Sequence, residues 1–364
     1  MAQHFWLHSK SVSLTGANIA NFSDEEARYF LARMRWGDDG TQVCPKCGVV
    51  DRHHDIKSRC QWSCKHCGRR FSVTTETPFA DFKIGYSRLL LAIFAFVVNQ
   101  KGIAALALRR LIGGQYRTSY TLLQKIREAV MLTMPREPLS GVVEVDGGHF
   151  AGKRRKGRKL KEEKGPAELP KKYRKPQQRD KISASEFPHH PNRRIVLVMR
   201  EMFKNGEGKG AARTRVAVIR SENTADIEAL VQQHVARLST IRSDELTAYG
   251  NLKLLGYAHE TVNHSVEFST DDGVNQDQAE SFFSRMRRAF IGVYHKITPR
   301  YMLDYACEMA WREDARRKST LEQMQMIFKR VCSSGISTDW LNYGRNGHKR
   351  PVELLFDARV GASP

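Results

Sequence analysis

Four cysteines stand in two tight pairs, Cys44-Pro-Lys-Cys47 and Cys64-Lys-His-Cys67, with sixteen residues between the pairs. Each pair can place two thiolates on one ion from a tight turn, and two such knuckles complete a tetrahedral site for Zn2+. Gly48 and Gly68 follow the pairs directly and suit the turn a knuckle requires. His53, His54, His66 and Cys60 lie close enough in sequence to compete as ligands. A full set of four thiolates leaves no open coordination position, so the expected zinc, a single ion, is structural.

A second group of residues could act on phosphate esters. Asp146 ends the β-branched run Val142-Val-Glu-Val-Asp146 and precedes Gly147-Gly148, so a strand is expected to open into a loop there. The two-residue period of a strand puts Glu144 on the same face as Asp146. Asp244 follows a second short strand, Thr240–Ser243, and thirty-five residues separate it from Glu280. Glu280 lies near the start of an amphipathic helix whose buried stripe is Ala279, Phe282, Phe283, Met286 and Phe290. Glu280 and Arg287, one heptad apart, fall on the border of that stripe, where a side chain is held by packing yet faces a cleft. Displacement at a phosphodiester needs the attacking and leaving oxygens stabilised together. Carboxylates from different elements can hold two Mg2+ (or Mn2+) ions about 3.5–4 Å apart for that purpose, and Arg287 would then contact a phosphate. Taken singly, each acid equally fits a cap or a turn.

The elements that must position these side chains fall into five stretches. Residues 1–40 hold a helix expected from about Asp24 to Arg35, opened by a Ser23/Glu26 capping box, with Ala27, Phe30, Leu31 and Met34 on one face. Residues 41–80, rich in Cys, Gly, His and β-formers, form the zinc ribbon. Residues 81–138 read as helical: Ser87–Asn99, then Ile103–Ile112 and Thr118–Met134 on either side of Gly113-Gly114, a helix-turn-helix candidate for DNA binding that a plain helical linker also fits. Residues 139–318 read as an α/β region with strands at Val142–Asp146, Ile195–Met199, Val216–Ile219 and Thr240–Ser243. Helices are expected there at about Thr224–Leu238 and Tyr301–Glu313. Residues 319–364 are expected to be a C-terminal tail, loosely ordered from 335. The five tryptophans read as packing residues.

Charge narrows the partners. Sixty Lys and Arg against 39 Asp and Glu leave a net charge of +21 in 364 residues. Such a surface concentrates polyanions, nucleic acid foremost. Much of the excess sits in an insertion at 152–191, where residues 152–181 carry fourteen Lys or Arg and four acids. Lys153, Arg154, Arg155, Lys156, Arg158 and Lys159, with Arg288 on the helix of Glu280, are candidate DNA contacts; a solvated linker is the plainer reading of the insertion. The start lacks the apolar core of a signal peptide, and the longest apolar run, Leu89–Val98, is half of what spans a bilayer. Paired cysteines with metal-site spacing fit a reducing cytoplasm, and no membrane partner is expected.

These residues carry a family likeness. Glu144-Val-Asp146, Ser243-Asp-Glu-Leu-Thr-Ala-Tyr249, Val262-Asn-His-Ser265 and Asn275…Ala279-Glu-Ser-Phe-Phe…Arg287…Gly292-Val-Tyr-His295 resemble motifs of bacterial insertion-sequence transposases of the DDE superfamily, ISXO-like group. Upstream, Arg70-Phe-Ser-Val-Thr-Thr-Glu-Thr-Pro-Phe79 closing the ribbon and Lys101-Gly-Ile agree in order, so the likeness spans roughly residues 25–318. The resemblance implies a ribonuclease-H-like catalytic domain: a mixed sheet flanked by helices, with the first Asp on the first strand and the second after the fourth. It implies metal-dependent cleavage at the terminal inverted repeats of an insertion sequence, then strand transfer into target DNA. Asp146, Asp244 and Glu280 match the three metal ligands, Asn275 being the alternative third, and Arg287 stands where such enzymes often have Lys. Members of the group often have an acid after the first Asp, where this chain has Gly147. His264 and His295 match motif positions near the scissile phosphate, although a structural role suits each equally. A homo-oligomer on DNA follows from the need to engage two ends. The readings weighed against this one are a domesticated, non-catalytic DNA-binding regulator and a ribonuclease-H-like nuclease of recombination.

Overall fold

The computed structural model describes residues 5–80, 82–151, 193–204, 210–244, 247–262, 277–343, 350, 353–356 and 358. After the short helix α1 (Gly16–Ala20), helix α2 (Asp24–Trp36) starts as its sequence requires. Ser23 Oγ accepts from the Glu26 N–H at 3.3 Å, and the Glu26 carboxylate accepts from the Ser23 N–H at 2.8 Å. This satisfies two N–H groups that a helix start otherwise leaves unpaired. The ribbon follows as two small antiparallel sheets, β1 (Gln42–Val43) with β2 (Val50–Asp51), and β3 (His54–Ile56), β4 (Gln61–Ser63) and β5 (Arg70–Phe71). Trp36 of α2 meets Trp62 and Phe71 edge-on at 5.4 and 6.0 Å. Arg28 grips Asp55 through both guanidinium nitrogens at 2.9 and 2.8 Å, so α2 and ribbon are fastened together.

Helices α3 (Tyr86–Val98), α4 (Ala105–Ile112) and α5 (Tyr116–Leu132) follow. A five-stranded sheet of β6 (Val142–Ala151), β7 (Arg193–Met202), β8 (Ala211–Ile219), β9 (Thr240–Asp244) and β10 (Ala258–Val262) comes next in the order β10-β9-β6-β7-β8. The β6–β7 and β7–β8 pairs are antiparallel, while β9 lies parallel to β6 and β10 parallel to β9. Helix α6 (Thr224–His234) links β8 to β9, and α7 (Asp277–Gly292), α8 (Met302–Ala315) and α9 (Thr320–Ser333) close the order.

The sheet has two apolar faces. Val143, Val145, Leu197, Met199 and Ile241 pack on α6 and on Tyr249 and Leu252. Phe150, Val196, Val198, Val216 and Val218 join α7, α8 and α9, the helices α2 to α5 and the ribbon residues Trp62 and Phe71 in one continuous cluster. A buried polar knot reinforces that junction: Arg127 of α5 donates to Glu308 of α8 at 2.6 Å, and Tyr294 and Arg312 donate to the same carboxylate. The helical segment is thus packed into the same core as the sheet.

Three expectations change. Gly147 and Gly148 do not open a loop; β6 runs through them to Ala151, paired with β7. Strand β10 was not foreseen. The stretch after 318, read as a tail, opens with α9, whose Ser319/Glu322 capping box starts a stripe of Met324, Ile327, Phe328 and Val331 buried in the core. Farther on, Arg350 pairs with Asp304 and Asp339, and the Phe356 N–H donates to the Val218 carbonyl at the sheet edge. Trp62, Trp311 and Trp340 are buried packing residues, as expected. No helix among the described residues is long and apolar enough to cross a membrane.

Candidate functional site

The two cysteine knuckles are near copies. In each, the glycine N–H bonds back to the first cysteine carbonyl, Gly48 to Cys44 at 2.9 Å and Gly68 to Cys64 at 3.0 Å, with φ of 71° and 69°. The knuckles face each other so that Cys44 Sγ lies 3.6 Å from Cys67 Sγ and Cys47 Sγ 3.6 Å from Cys64 Sγ. Four sulfurs at 2.3 Å from a tetrahedral zinc stand about 3.8 Å apart, so this set of four cysteines fits the ion closely. Burial disfavours the Cys44 thiolate, but backbone N–H donors of Cys47 and Lys46 and the neighbouring thiols outweigh it and lower its pKa to about 7. The competing ligands are engaged elsewhere: the His53 ring takes the Lys65 N–H at 3.4 Å and faces the Val49 carbonyl at 3.3 Å, and Cys60 sits in a turn at φ 53°.

The acids gather where β6 and β9 part, Asp146 in the middle of β6 and Asp244 at the end of β9. The two strands pair in parallel as far as Glu144↔Arg242 and then part, β6 continuing with β7 alone. Asp146 and Asp244 each lie two residues beyond that row, on the same face of their strands, with backbones roughly one strand spacing of about 4.8 Å apart or a little more. Both are partly exposed. A parting of parallel strands at their carboxyl ends is where an open α/β sheet leaves a crevice.

Helix α7 runs along the same face of β6. Its first turn is fixed by Glu144, and farther on Phe283 lies on Gly148 so closely that a Cβ there would come within 2.3 Å of the ring. Glu280 stands three helical residues, about 4.5 Å of rise, before Phe283. Asp146 stands two strand residues, about 6.6 Å, before Gly148, so the exposed Glu280 and Asp146 both lie between the Glu144 and Gly148 contacts of helix and strand. The stripe Ala279, Phe282, Phe283 and Met286 is buried as expected and Phe290 half-buried. Arg287 is exposed, its guanidinium 5.6 Å from the Phe283 ring centre, and Arg288 is exposed beside it.

One acid escaped the sequence. Glu222, in the turn between β8 and α6, lies over Gly147, where a Cβ would come within 1.6 Å of its Oε1. It occupies the space that a side chain at position 147 would fill. Tyr249 donates to Glu222 at 3.4 Å and His149 Nε2 lies 3.4 Å from it. Burial raises the Tyr249 hydroxyl well above its usual pKa, and Glu222, Asp146 and Asp244 push the same way. Of these carboxylates Glu222 is the one that the Tyr249 hydroxyl contacts directly. The only trace of Glu222 in the sequence is its place just before Asn223, the N-cap of α6.

Among the described residues, only the four cysteines bring three or more ligand atoms within 4.8 Å of one another. Asp146, Asp244 and Glu280 are spread more widely. Two hard cations about 3.5–4 Å apart with oxygen ligands at about 2.0–2.1 Å span about 8 Å, so acids on opposite sides of such a pair must be. His295 is exposed in the turn after α7, and His259 bonds to Ser243 Oγ at 2.8 Å in a structural role. Asn275, His264, Lys153, Arg154, Arg155, Lys156, Arg158 and Lys159 lie outside the described residues.

A four-cysteine ribbon joined through helices to a mixed sheet with acids where two parallel strands part defines a zinc-ribbon protein with an α/β domain. The family comparisons resolve that class: the ISXO2-like transposase domain matches residues 138–314 and the transposase zinc-ribbon domain residues 22–70. The chain belongs to the ISXO2-like transposases. Searches of curated proteins and of solved structures found no match.

Proposed function

We propose that the protein binds the terminal inverted repeats of an insertion sequence and catalyses metal-dependent DNA cleavage followed by strand transfer, with Asp146, Asp244 and Glu280 holding the cations. The observation that supports this reading is that Asp146 and Asp244 stand two residues beyond the last paired row of two parallel strands, with Glu280 on the helix whose first turn is bonded to Glu144. The order and direction of the five strands support a ribonuclease-H-like domain, with the first Asp on its first strand and the second at the end of its fourth. Carboxylate oxygens are the donors that Mg2+ and Mn2+ prefer over Zn2+. Two such ions, when bound, supply charge that stabilises the attacking and leaving oxygens together.

The chain's own residues do the rest. Arg287, steadied on Phe283, and Arg288 neutralise the phosphates flanking the scissile bond. A water oxygen attacks phosphorus, the bond to the 3′ oxygen breaks, and the strand is left with a 3′-hydroxyl. That hydroxyl then attacks a target phosphate, forming one phosphodiester as another breaks. Upstream, the α4–α5 pair joined through Gly113, Gly114 and Gln115 exposes Arg109, Arg110, Tyr116 and Arg117, which suits a helix-turn-helix contact with a DNA end. The ribbon and the basic insertion 152–191 add phosphate contacts, and a homo-oligomer brings two ends together. Asp146→Asn and Asp244→Asn should each abolish Mg2+-dependent cleavage of a duplex carrying the inverted repeats that flank the gene, with DNA affinity nearly unchanged. Cleavage surviving both substitutions overturns the assignment of these acids, whereas a parent protein that binds the repeats without cutting them favours the non-catalytic regulator.

A further inference from the structure

We infer that Glu144 is a positioning residue of this site: by holding the first turn of α7 against β6, it fixes the place of Glu280 relative to Asp146. The inference deepens the proposed function and rests on its reading of those acids as cation ligands.

Glu144 is fully buried, and its Oε2 accepts the N–H groups of Gln278 and Ala279, each at 3.0 Å. A helix start is usually capped by the residue just before it. Here the acceptor comes from a strand 134 residues away. Glu144 is the middle of a row across three strands, Arg242 of β9, Glu144 of β6 and Arg200 of β7, all in register. Arg200, equally buried, donates to the Gln278 carbonyl at 2.5 Å and to Glu313 at 3.1 Å. The opening turn of α7 is therefore gripped by its N–H groups and by a carbonyl, from two neighbouring strands.

The clamp sits very near both acids. Two residues of extended strand lead from Glu144 to Asp146, and one helical residue leads from Ala279 to Glu280. Apart from the buried Glu144 side chain the path is backbone, so a shift of that carboxylate moves the start of α7 and Glu280 with it. Stability alone does not account for a carboxylate here. Its Oε1 is buried and has no hydrogen-bond partner among the described residues, a cost that an ordinary Ser or Asp cap avoids.

The test is a double-mutant cycle on Mn2+ binding to the full-length, zinc-loaded protein, read by calorimetry with the metal alone as probe. Glu144→Gln keeps the volume and one acceptor, and circular dichroism checks its fold; if it fails that check, Glu144→Asp is read in the same way. Outer contacts that orient metal ligands are typically worth about 10–100-fold in affinity, so the variant should bind Mn2+ at least tenfold more weakly. Because Glu144 acts through Glu280, adding Glu144→Gln to Glu280→Gln should weaken binding by less than twofold further. A mere cap would lower thermal stability and leave Mn2+ affinity alone. Unchanged affinity in Glu144→Gln, with Asp146→Asn and Glu280→Gln both weakened, overturns the inference and spares the proposed function. So do losses that multiply in the double variant. Mn2+ binding indifferent to Asp146→Asn removes the metal reading itself, and the inference with it.

Discussion

Gly148→Ala adds one methyl group between β6 and α7, and its effect can be worked out from the packing. The new Cβ would lie 2.3 Å from two carbons of the Phe283 ring and 2.9 Å from a third. Ordinary contact begins at 3.4 Å, so the ring or its helix must retreat by about 1.1 Å. The ring has little room, being 2% exposed and set between Phe282, with centroids 5.5 Å apart, and Phe150 at 6.4 Å. Overpacking of this kind costs about 1–3 kcal/mol, and the variant should melt several degrees lower. Because Phe283 stands one turn from Glu280 and beneath Arg287, the same retreat displaces both. An ångström of misplacement costs on the order of 100-fold in rate, so kcat for Mg2+-dependent cleavage should fall by about that factor while duplex Kd holds. Phe283→Leu added to Gly148→Ala should restore part of the rate by returning the space. Cleavage within threefold of the parent protein, at an unchanged melting temperature, refutes the packing argument.

Other expectations follow from single features. Cys44→Ser should release the zinc, measured with a chromogenic chelator, and weaken DNA binding through the loss of the ribbon; a parent protein that carries no zinc refutes the four-cysteine site. Arg127→Ala leaves Glu308 buried with Arg312 as its remaining ion-pair partner and Tyr294 as a neutral donor and should cost about 3–5 kcal/mol in denaturant unfolding, whereas Arg127→Met with Glu308→Gln should cost much less. Equal losses would show that the pair is not coupled. Burial raises the Asp314 carboxyl to about 7 against the opposing pull of Thr214, Arg200 and Arg215. A raised acid stabilises the fold below its unfolded value near 3.8 and loses that contribution as pH climbs toward 7. The melting temperature of the parent protein relative to Asp314→Asn should therefore fall between pH 4 and 7; a constant difference contradicts the raised value.

What the sequence made legible was mostly local. The cysteine spacing specified the ribbon, Ser23 and Glu26 marked the start of α2, and the 3.6-residue stripe around Phe282 and Phe283 located the buried side of α7. Long-range contacts were not legible. Gly147-Gly148 read as a break because glycine pairs usually end elements. In the fold they continue the strand, and their missing side chains admit Glu222 and Phe283 from elements far along the chain. Strand β10 carries His259, Glu260 and Thr261, a polar run without periodicity; its cross-strand bonds to Ser243 and Arg242 exist only once β9 is beside it. Glu144 was placed on the face of Asp146 by alternation, but its hold on α7 depends on a register that no local pattern encodes.

The continuous cluster joining α2, the ribbon and α3–α5 to α7–α9 bears on how such a protein can diversify. Cutting the chain near residue 138 would bare the apolar sides of α3 and α5 and strand Arg127 without Glu308. Proteolysis should not release a stable N-terminal piece, and a chimaera that borrows residues 1–138 from a relative must import a matching α8 and α9 as well. If the proposed contact of α4 and α5 with DNA holds, its preferences can change through exposed residues such as Arg109, Arg110 and Arg117 more readily than through exchange of whole segments. The N-terminal helices and the sheet domain share one core and are inherited as one piece.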